Sequence, residues 1–438
     1  MSQPPTRGLP ALRRLFGRGT MARGAAVLGG GTVAAQLVTA ITAPAITRLY
    51  DPGQFGQFGL VAGFLNIAAV TLTLRLEMAI VSSPSENEAA QVALLGMLIL
   101  PFSTILATLV LVLLIAVPVG PYGMLPVGWA VLIPIPLAAV GLLEVLRYWV
   151  IRRQDYVPLS QLAIIQGAAR SGGQVTLGML QLGATGLLLG DLIGRLAGVA
   201  RLMVREFPTI VASAGQPAWR GARALLGRYR KFPTFSLPSS FVDTLAGMLA
   251  LPLVGAFYGL EAAGHYVLVV TVFALPMTVV GRSVADVFHG RAAALARDAP
   301  ERVAPLFLRT AAILAAIALP VGAASLILAP AIFPIVFGEE WRTAGYVAAA
   351  LSPRMVVQLI VSPLSRIVFV YQGQEAKLLF DFAVLALTIG SLTGAHLLGL
   401  SFLTALVLLA VTDLVAYGLY AGILWRLIRR STGAEGVK

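Results

Sequence analysis

The chain contains no cysteine, which removes disulfides, thiolate metal sites and thiol nucleophiles while saying little about compartment. Charge is scarce too. Only 12% of its 438 residues are Asp, Glu, Lys or Arg, where a soluble domain carries roughly a quarter. Histidine is limited to His265, His289 and His396, too far apart in sequence to suggest a metal site. No G-x-x-x-x-G-K-[ST] occurs, so ATP hydrolysis by this chain is not expected. No hydrophilic stretch is long enough to fold as a catalytic domain. Neither a catalytic residue set nor a bound cofactor is expected.

What is present is apolar. Hydrophobic residues make up 58% of the chain, and mean hydropathy is +0.87. Covering the hydrocarbon takes about 20 apolar residues per helix. Breaks at polar or Pro/Gly-bearing positions then give twelve spans, near 24–47, 57–80, 92–118, 127–150, 157–179, 182–204, 235–257, 264–288, 306–330, 343–368, 377–397 and 401–426. Unpaired backbone groups are not tolerated in lipid, so each span is expected to be helical. The Arg-rich start followed by an apolar run mimics a secretory signal, but the run from Gly24 to Ile46 is too long for one. Thr42-Ala43-Pro44-Ala45 only faintly resembles a cleavage site, and Pro44 reads better as a kink in a retained first span. The net charge of +13 does not imply nucleic acid, because the aromatics lie in apolar runs rather than among basic residues.

Positive charge orients the spans. With both termini cytoplasmic, the inside segments collect Arg7, Arg13, Arg14, Arg18 and Arg23, then Arg152 and Arg153, the run from Arg201 to Lys231, then Arg291, Arg297, Arg302 and Lys377, and the tail from Arg426 to Lys438. The outside loops keep only Arg48 and Arg342. This divides the chain into a basic segment (1–23), a six-helix bundle (24–204), a linker (205–234), a second six-helix bundle (235–426) and a tail (427–438). Pro44, Tyr50, Gly56 and Phe58 match Pro252, Tyr258, Gly264 and Tyr266 at a constant offset of 208. An even number of spans per half makes the repeats parallel, related by an axis along the membrane normal. Two such bundles frame a cleft suited to alternating access. The basic segments before span 1 and at 217–231 read as interfacial helices on anionic lipid, and Gly29-Gly30-Gly31 as a site of close helix packing.

Ionisable residues inside a membrane are costly and therefore informative. Glu144 with Arg147, Asp191 with Arg195, and Arg282 with Asp286 have the spacing of pairs on one helix face, although a paired Arg195 or Arg282 keeps spare donors for a cleft. Arg75 and Glu77, two apart, are expected on different faces. Arg170 and Arg354 stand near mid-span with no acid within four positions. Gln166, Arg170 and Gln174 form one i,i+4 row; Arg354, Gln358, Ser362 and Arg366 form another. Guanidinium stays protonated and grips phosphate bidentately, so the two rows suggest a cationic cleft for an anionic cargo. Asp243, Glu77, Asp381 and Asp413 remain as candidates for coupling to a proton or sodium gradient, or as counter-charges to the arginines.

Several short segments are spread over most of the chain: 47–56 (TRLYDPGQFG), 74–80 (LRLEMAI), 229–233 (YRKFP), the run from Ala262 through Pro276 to Phe288, and 337–341 (FGEEW). In these the chain resembles the bacterial O-antigen and exopolysaccharide repeat-unit flippases, the polysaccharide-transporter branch of the multidrug/oligosaccharidyl-lipid/polysaccharide exporter superfamily. The resemblance implies an all-α, V-shaped fold of two six-helix lobes in a bacterial inner membrane. It also implies export of an undecaprenyl-diphosphate-linked oligosaccharide through a cationic cavity, with polysaccharide polymerase machinery as a candidate partner. A drug or cation antiporter of the same superfamily is the main alternative and would need acids in its cleft. Lipid II flippases share the fold but usually have more spans. A membrane glycosyltransferase would need a large outside loop, which is missing.

Overall fold

The computed structural model describes residues 20–117, 120–215, 218–371 and 373–434. Arg7, Arg13, Arg14 and Arg18 of the basic segment and Lys438 of the tail lie outside the described residues. All regular structure among the described residues is helical. In the first half the long elements are α1 (Thr20–Leu49), α2 (Pro52–Leu72) with its short continuation α3 (Leu76–Ser82), α4 (Glu86–Ala116), α5 (Pro134–Arg152), α6 (Val157–Met179) and α7 (Gly183–Ala214). A linker helix, α8 (Ala218–Arg228), leads to the second half. That half consists of α9 (Leu237–Met248), α10 (Ala250–Pro276), α11 (Ser283–Asp298), α12 (Val303–Phe337), α13 (Arg342–Leu364), α14 (Gln374–Leu397) and α15 (Phe402–Ala434).

Nine helical segments among the described residues are long and apolar enough to cross a membrane. One of them, Phe232–Asp298, folds back at Gly259, where φ is 89° and ψ 172°, a backbone that glycine alone adopts readily. It therefore supplies two spans. α6 and α7 are too polar to be counted by composition, yet they pack lengthwise on each other inside the first bundle. The result is twelve crossings in two six-helix lobes, as the hydropathy pattern predicts.

The repeat is visible in the local chemistry. Asp51 caps α2, its carboxylate accepting from the Gln54 amide at 2.8 Å, with Pro52 at the first helical position, where a missing N–H costs nothing. The matching turn of the second half is Gly259. The α6–α7 and α14–α15 hairpins close in the same way: Leu182 N donates to Leu177 O, and Leu400 N to Ala395 O.

The lobes meet where α2 crosses α10. A methyl group on Gly56 would strike the carbonyl of Leu260, and one on Gly264 would strike that of Pro52. Pro52 and Leu260, like Gly56 and Gly264, are repeat mates. Each contact is therefore the other's image, as required when equivalent surfaces meet on a two-fold axis. Nearby, the Trp341 indole donates to Thr47 O at 2.9 Å and meets the Phe55 ring edge-on at 4.8 Å, while Arg48 donates to Ile335 O at 3.2 Å. These bonds join the halves at the end opposite the chain termini. The linker belongs to the first half: the Tyr229 hydroxyl bonds Glu88 at 2.9 Å and Ser83 at 3.0 Å, and Leu225 is buried with it. Of the triple glycine, only Gly31 packs closely, against Ser160; Gly29 and Gly30 face open space.

A side chain at the crossing has nowhere to go, and overpacking costs about 1–3 kcal/mol or more. Gly56→Leu and Gly264→Leu are each expected to lower the thermal midpoint of detergent-purified protein sharply, whereas Gly29→Ala leaves it unchanged; fluorescence-detected unfolding checks this.

Candidate functional site

Three recesses between the helices gather many of the charged residues. The first, about 290 Å³, lies between α1, α6 and α7 and is lined by Thr32, Gln36, Gln166, Arg170, Asp191 and Arg195, among others. Its geometry follows from a glycine row on α7. Gly190, Gly194 and Gly198 sit four apart and press against Gln174, Arg170 and Gln166 respectively, so the polar row of α6 faces α7 backbone at close range. The Asp191 carboxylate, buried by this packing, lies 2.6 Å from the Arg195 Nε and 3.4 Å from the Arg170 Nε. Two guanidinium groups thus share one carboxylate. Arg170 remains 40% exposed and stacks over the Phe58 ring, 5.6 Å from its centroid.

The second half handles its arginine differently. Arg354 on α13 is 13% exposed and lies 2.7 Å from the fully buried carboxylate of Asp413 on α15. It also donates to the Tyr266 hydroxyl at 3.3 Å, and Gln358 donates to Tyr417 at 3.3 Å. Phe58 and Tyr266 are repeat mates, so the same position of each half braces a mid-membrane arginine. Arg282 and Arg366 line a further recess of about 400 Å³ with Thr278 and Ser362, and no carboxylate lines it. Asp243, Lys377 and Asp381 meet in a third recess beside Tyr417 and Tyr420.

Several expectations are corrected by this geometry. Arg170 and Arg354 are not isolated, because their counter-charges come from neighbouring helices α7 and α15, which spacing along one helix cannot reveal. Arg75 and Glu77 do pair, at 3.2 Å. Leu74 and Arg75 both adopt left-handed φ, at 54° and 61°, breaking the helix and swinging the two side chains together; Thr73 also bonds Glu77. No ion pair joins Arg282 to Asp286; Arg282 lies instead at the end of a π-helical turn, Met277–Arg282, and lines a recess with Thr278 and Ser362. Gln174 is buried in the α6–α7 seam, its amide donating to Leu187 O at 3.2 Å, and does not line a recess. Asp243, Asp381, Asp413 and Glu77 are all partnered by cations. Glu144–Arg147 and Asp191–Arg195 are paired as their spacing predicts.

Sequence reasoning missed the helix irregularities. Leu74 and Arg75 are the repeat mates of Arg282 and Ser283, so the left-handed break in the first half and the π turn in the second fall at equivalent depth. Each presents an arginine, Arg75 or Arg282. Local widening of a helix often accompanies function. Only the offset of 208, extended past the matched residues, could have flagged it.

The sequence profile of the polysaccharide biosynthesis protein family matches residues 45–345. Among curated proteins no sequence matches the chain. Solved structures share its architecture at low identity. The lipid II flippase MurJ in an inward closed conformation superposes with TM-score 0.68 at 10% identity, over 92% of this chain and 90% of its own. A multidrug resistance transporter of the MATE family, inward-facing, gives 0.66 at 14% identity over 94% and 96%. A MOP superfamily transporter from Pyrococcus furiosus, described as having a binding pocket of reverse polarity, gives 0.64 at 14% over 98% and 100%.

Removing one partner of a buried ion pair costs about 3–5 kcal/mol, because the other charge is left uncompensated. Arg354→Ala is therefore expected to destabilise the protein strongly, while Arg354→Met with Asp413→Leu recovers most of the thermal midpoint. Arg170→Ala should shift the midpoint less, because Arg195 remains to partner the buried Asp191 carboxylate. With the profile match spanning most of the chain and the fold agreeing from end to end, the chain belongs to the polysaccharide biosynthesis protein family and adopts the membrane-transporter fold of the MOP superfamily.

Proposed function

We propose that this protein carries a lipid-linked oligosaccharide, anchored through a diphosphate to a polyprenyl chain, from the cytoplasmic to the outer leaflet of a bacterial inner membrane. Its termini lie in the cytoplasm, where the basic segments favour them. The observation that carries the reading is a surplus of guanidinium groups. Arg170 and Arg195 share a single carboxylate in the first recess, and Arg282 lines another with none. The two recesses border one seam, since α1, which lines the first, touches the π turn that carries Arg282.

A diphosphate suits this arrangement. Arginine presents a planar fork to phosphate oxygens and keeps its charge at any working pH. Thr32, Gln36 and Gln166 offer hydrogen bonds to a sugar near the charged head. The polyprenyl tail need never leave the lipid alongside the lobes, and only the polar head crosses the protein. The reading requires no covalent step. Movement follows from rocking one lobe on the other about the α2–α10 crossing, with the Trp341–Thr47 contact breaking when the far side opens.

A cation antiporter on the same fold would need free acids in its cleft. Glu77, Asp243, Asp381 and Asp413 each already face an arginine or lysine, which favours the anionic cargo.

Hydrogen bonds to charged groups are worth about 1.5–3 kcal/mol each, so Arg282→Ala and Arg170→Ala should each reduce flux about tenfold or more at normal expression. The measurement is complementation of a gene-deleted strain, reading surface glycan together with lipid-linked oligosaccharide retained in the cytoplasmic leaflet. Full activity of both variants, or no retained intermediate on deletion, would rule the proposal out.

A further inference from the structure

Two of the carboxylates that the sequence offers as ion-coupling groups are already occupied by a cation from the chain itself. The Lys377 ammonium donates to Asp243 at 2.9 Å and to Asp381 at 2.6 Å. The surrounding recess, about 370 Å³, is also lined by Arg366, Ser362, Tyr417 and Tyr420. Two acids and two bases therefore cancel there, and no free ion is needed for neutrality.

The three residues are arranged asymmetrically. Lys377 and Asp381 are one turn apart on α14, so they stay together however α14 moves. Asp243 sits on α9, which follows directly on the linker and lies against α2 of the first half. Asp243 is 59% exposed and Asp381 only 15%. Asp381 is thus the same-helix partner of the ammonium, and Asp243, from a separate helix of the same lobe, is the more solvent-open one.

We infer that Lys377 is a tethered cation standing where a free alkali ion would otherwise bind, so that the second lobe binds no sodium at this recess. A sodium ion on these carboxylates would lie in contact range of the ammonium. At about 4 Å and an effective dielectric near 20, that repulsion weakens binding by about a thousandfold. The carboxylates and hydroxyls would otherwise form an oxygen-rich site for a hard cation, and the lysine pre-empts it. In a transport cycle the ammonium would stay with both carboxylates, giving the lobe a charge that travels with the protein and is never released. That role rests on the transporter reading above, whereas occupancy of the recess can be tested without any cargo.

The test uses purified full-length protein, comparing its unfolding midpoint in sodium chloride and in choline chloride at equal ionic strength. Wild type and Lys377→Arg are expected to give the same midpoint in both salts. Lys377→Gln should show a rise of several degrees specific to sodium, and adding Asp243→Asn should abolish it. A sodium-specific rise in wild type that disappears in Asp243→Asn would overturn the inference. Equal midpoints in the two salts for folded Lys377→Gln would overturn it as well. If Lys377→Gln does not fold, the wild-type and Lys377→Arg arms still decide, because a sodium-specific rise in either contradicts a resident ammonium. Loss of flippase activity has no bearing on these midpoints, so failure of one reading is separable from failure of the other.

Discussion

A charge placed between helices in a low-dielectric interior must find a partner there, and much of this molecule is arranged around that requirement. Desolvation of an isolated ion costs several kcal/mol even after relaxation. Asp191, Asp413 and Glu77 are buried, and each is met by guanidinium. The consequence is structural before it is functional. α6 is tied to α7 through Arg170–Asp191, and α13 to α15 through Arg354–Asp413. The lobes can then move as bodies, because their internal ion pairs resist shear within each lobe while the seam between them relies on close backbone packing and a few hydrogen bonds.

The same accounting separates arginines that build from arginines that are free to bind. Arg354, enclosed and matched one to one, contributes to the lobe. Arg170 and Arg195 exceed their shared carboxylate, and Arg282 opens onto a recess without one. Uncompensated guanidinium therefore borders the seam where α1 meets the π turn. A ligand with two adjacent phosphates gains most from such a local excess, since each guanidinium can offer two parallel donors.

The architecture was legible because hydropathy, the even span count and four matches at one offset all constrain the same topology. Gly56 and Gly264, aligned by sequence alone, prove to touch at the two-fold axis. The site was less legible, for a specific reason. Spacing along a helix reports only i,i+3 and i,i+4 neighbours, so Glu144–Arg147, Asp191–Arg195 and Lys377–Asp381 were foreseeable, whereas Asp413 opposite Arg354 and Asp243 opposite Lys377 were not. The register rule also fails where the helix itself fails. Left-handed Leu74 and Arg75 united a pair expected apart. Gln174 was misplaced because the glycine row of α7 draws that flank of α6 inward.

The duplication did not remain in step. The first two spans of each half match at an offset of 208, but the α6–α7 and α14–α15 hairpins share their closing bonds ten positions later, Leu182 corresponding to Leu400. The first half ends its second span at Ser82, with α3, whereas the corresponding helix of the second half runs on to Asp298, well past the mate of Ser82. That overhang helps to build a hollow lined by His289, Arg297 and Tyr371. A carrier made of two like parts has thereby become lopsided on its basic face, so the two lobes meet that side on unequal terms.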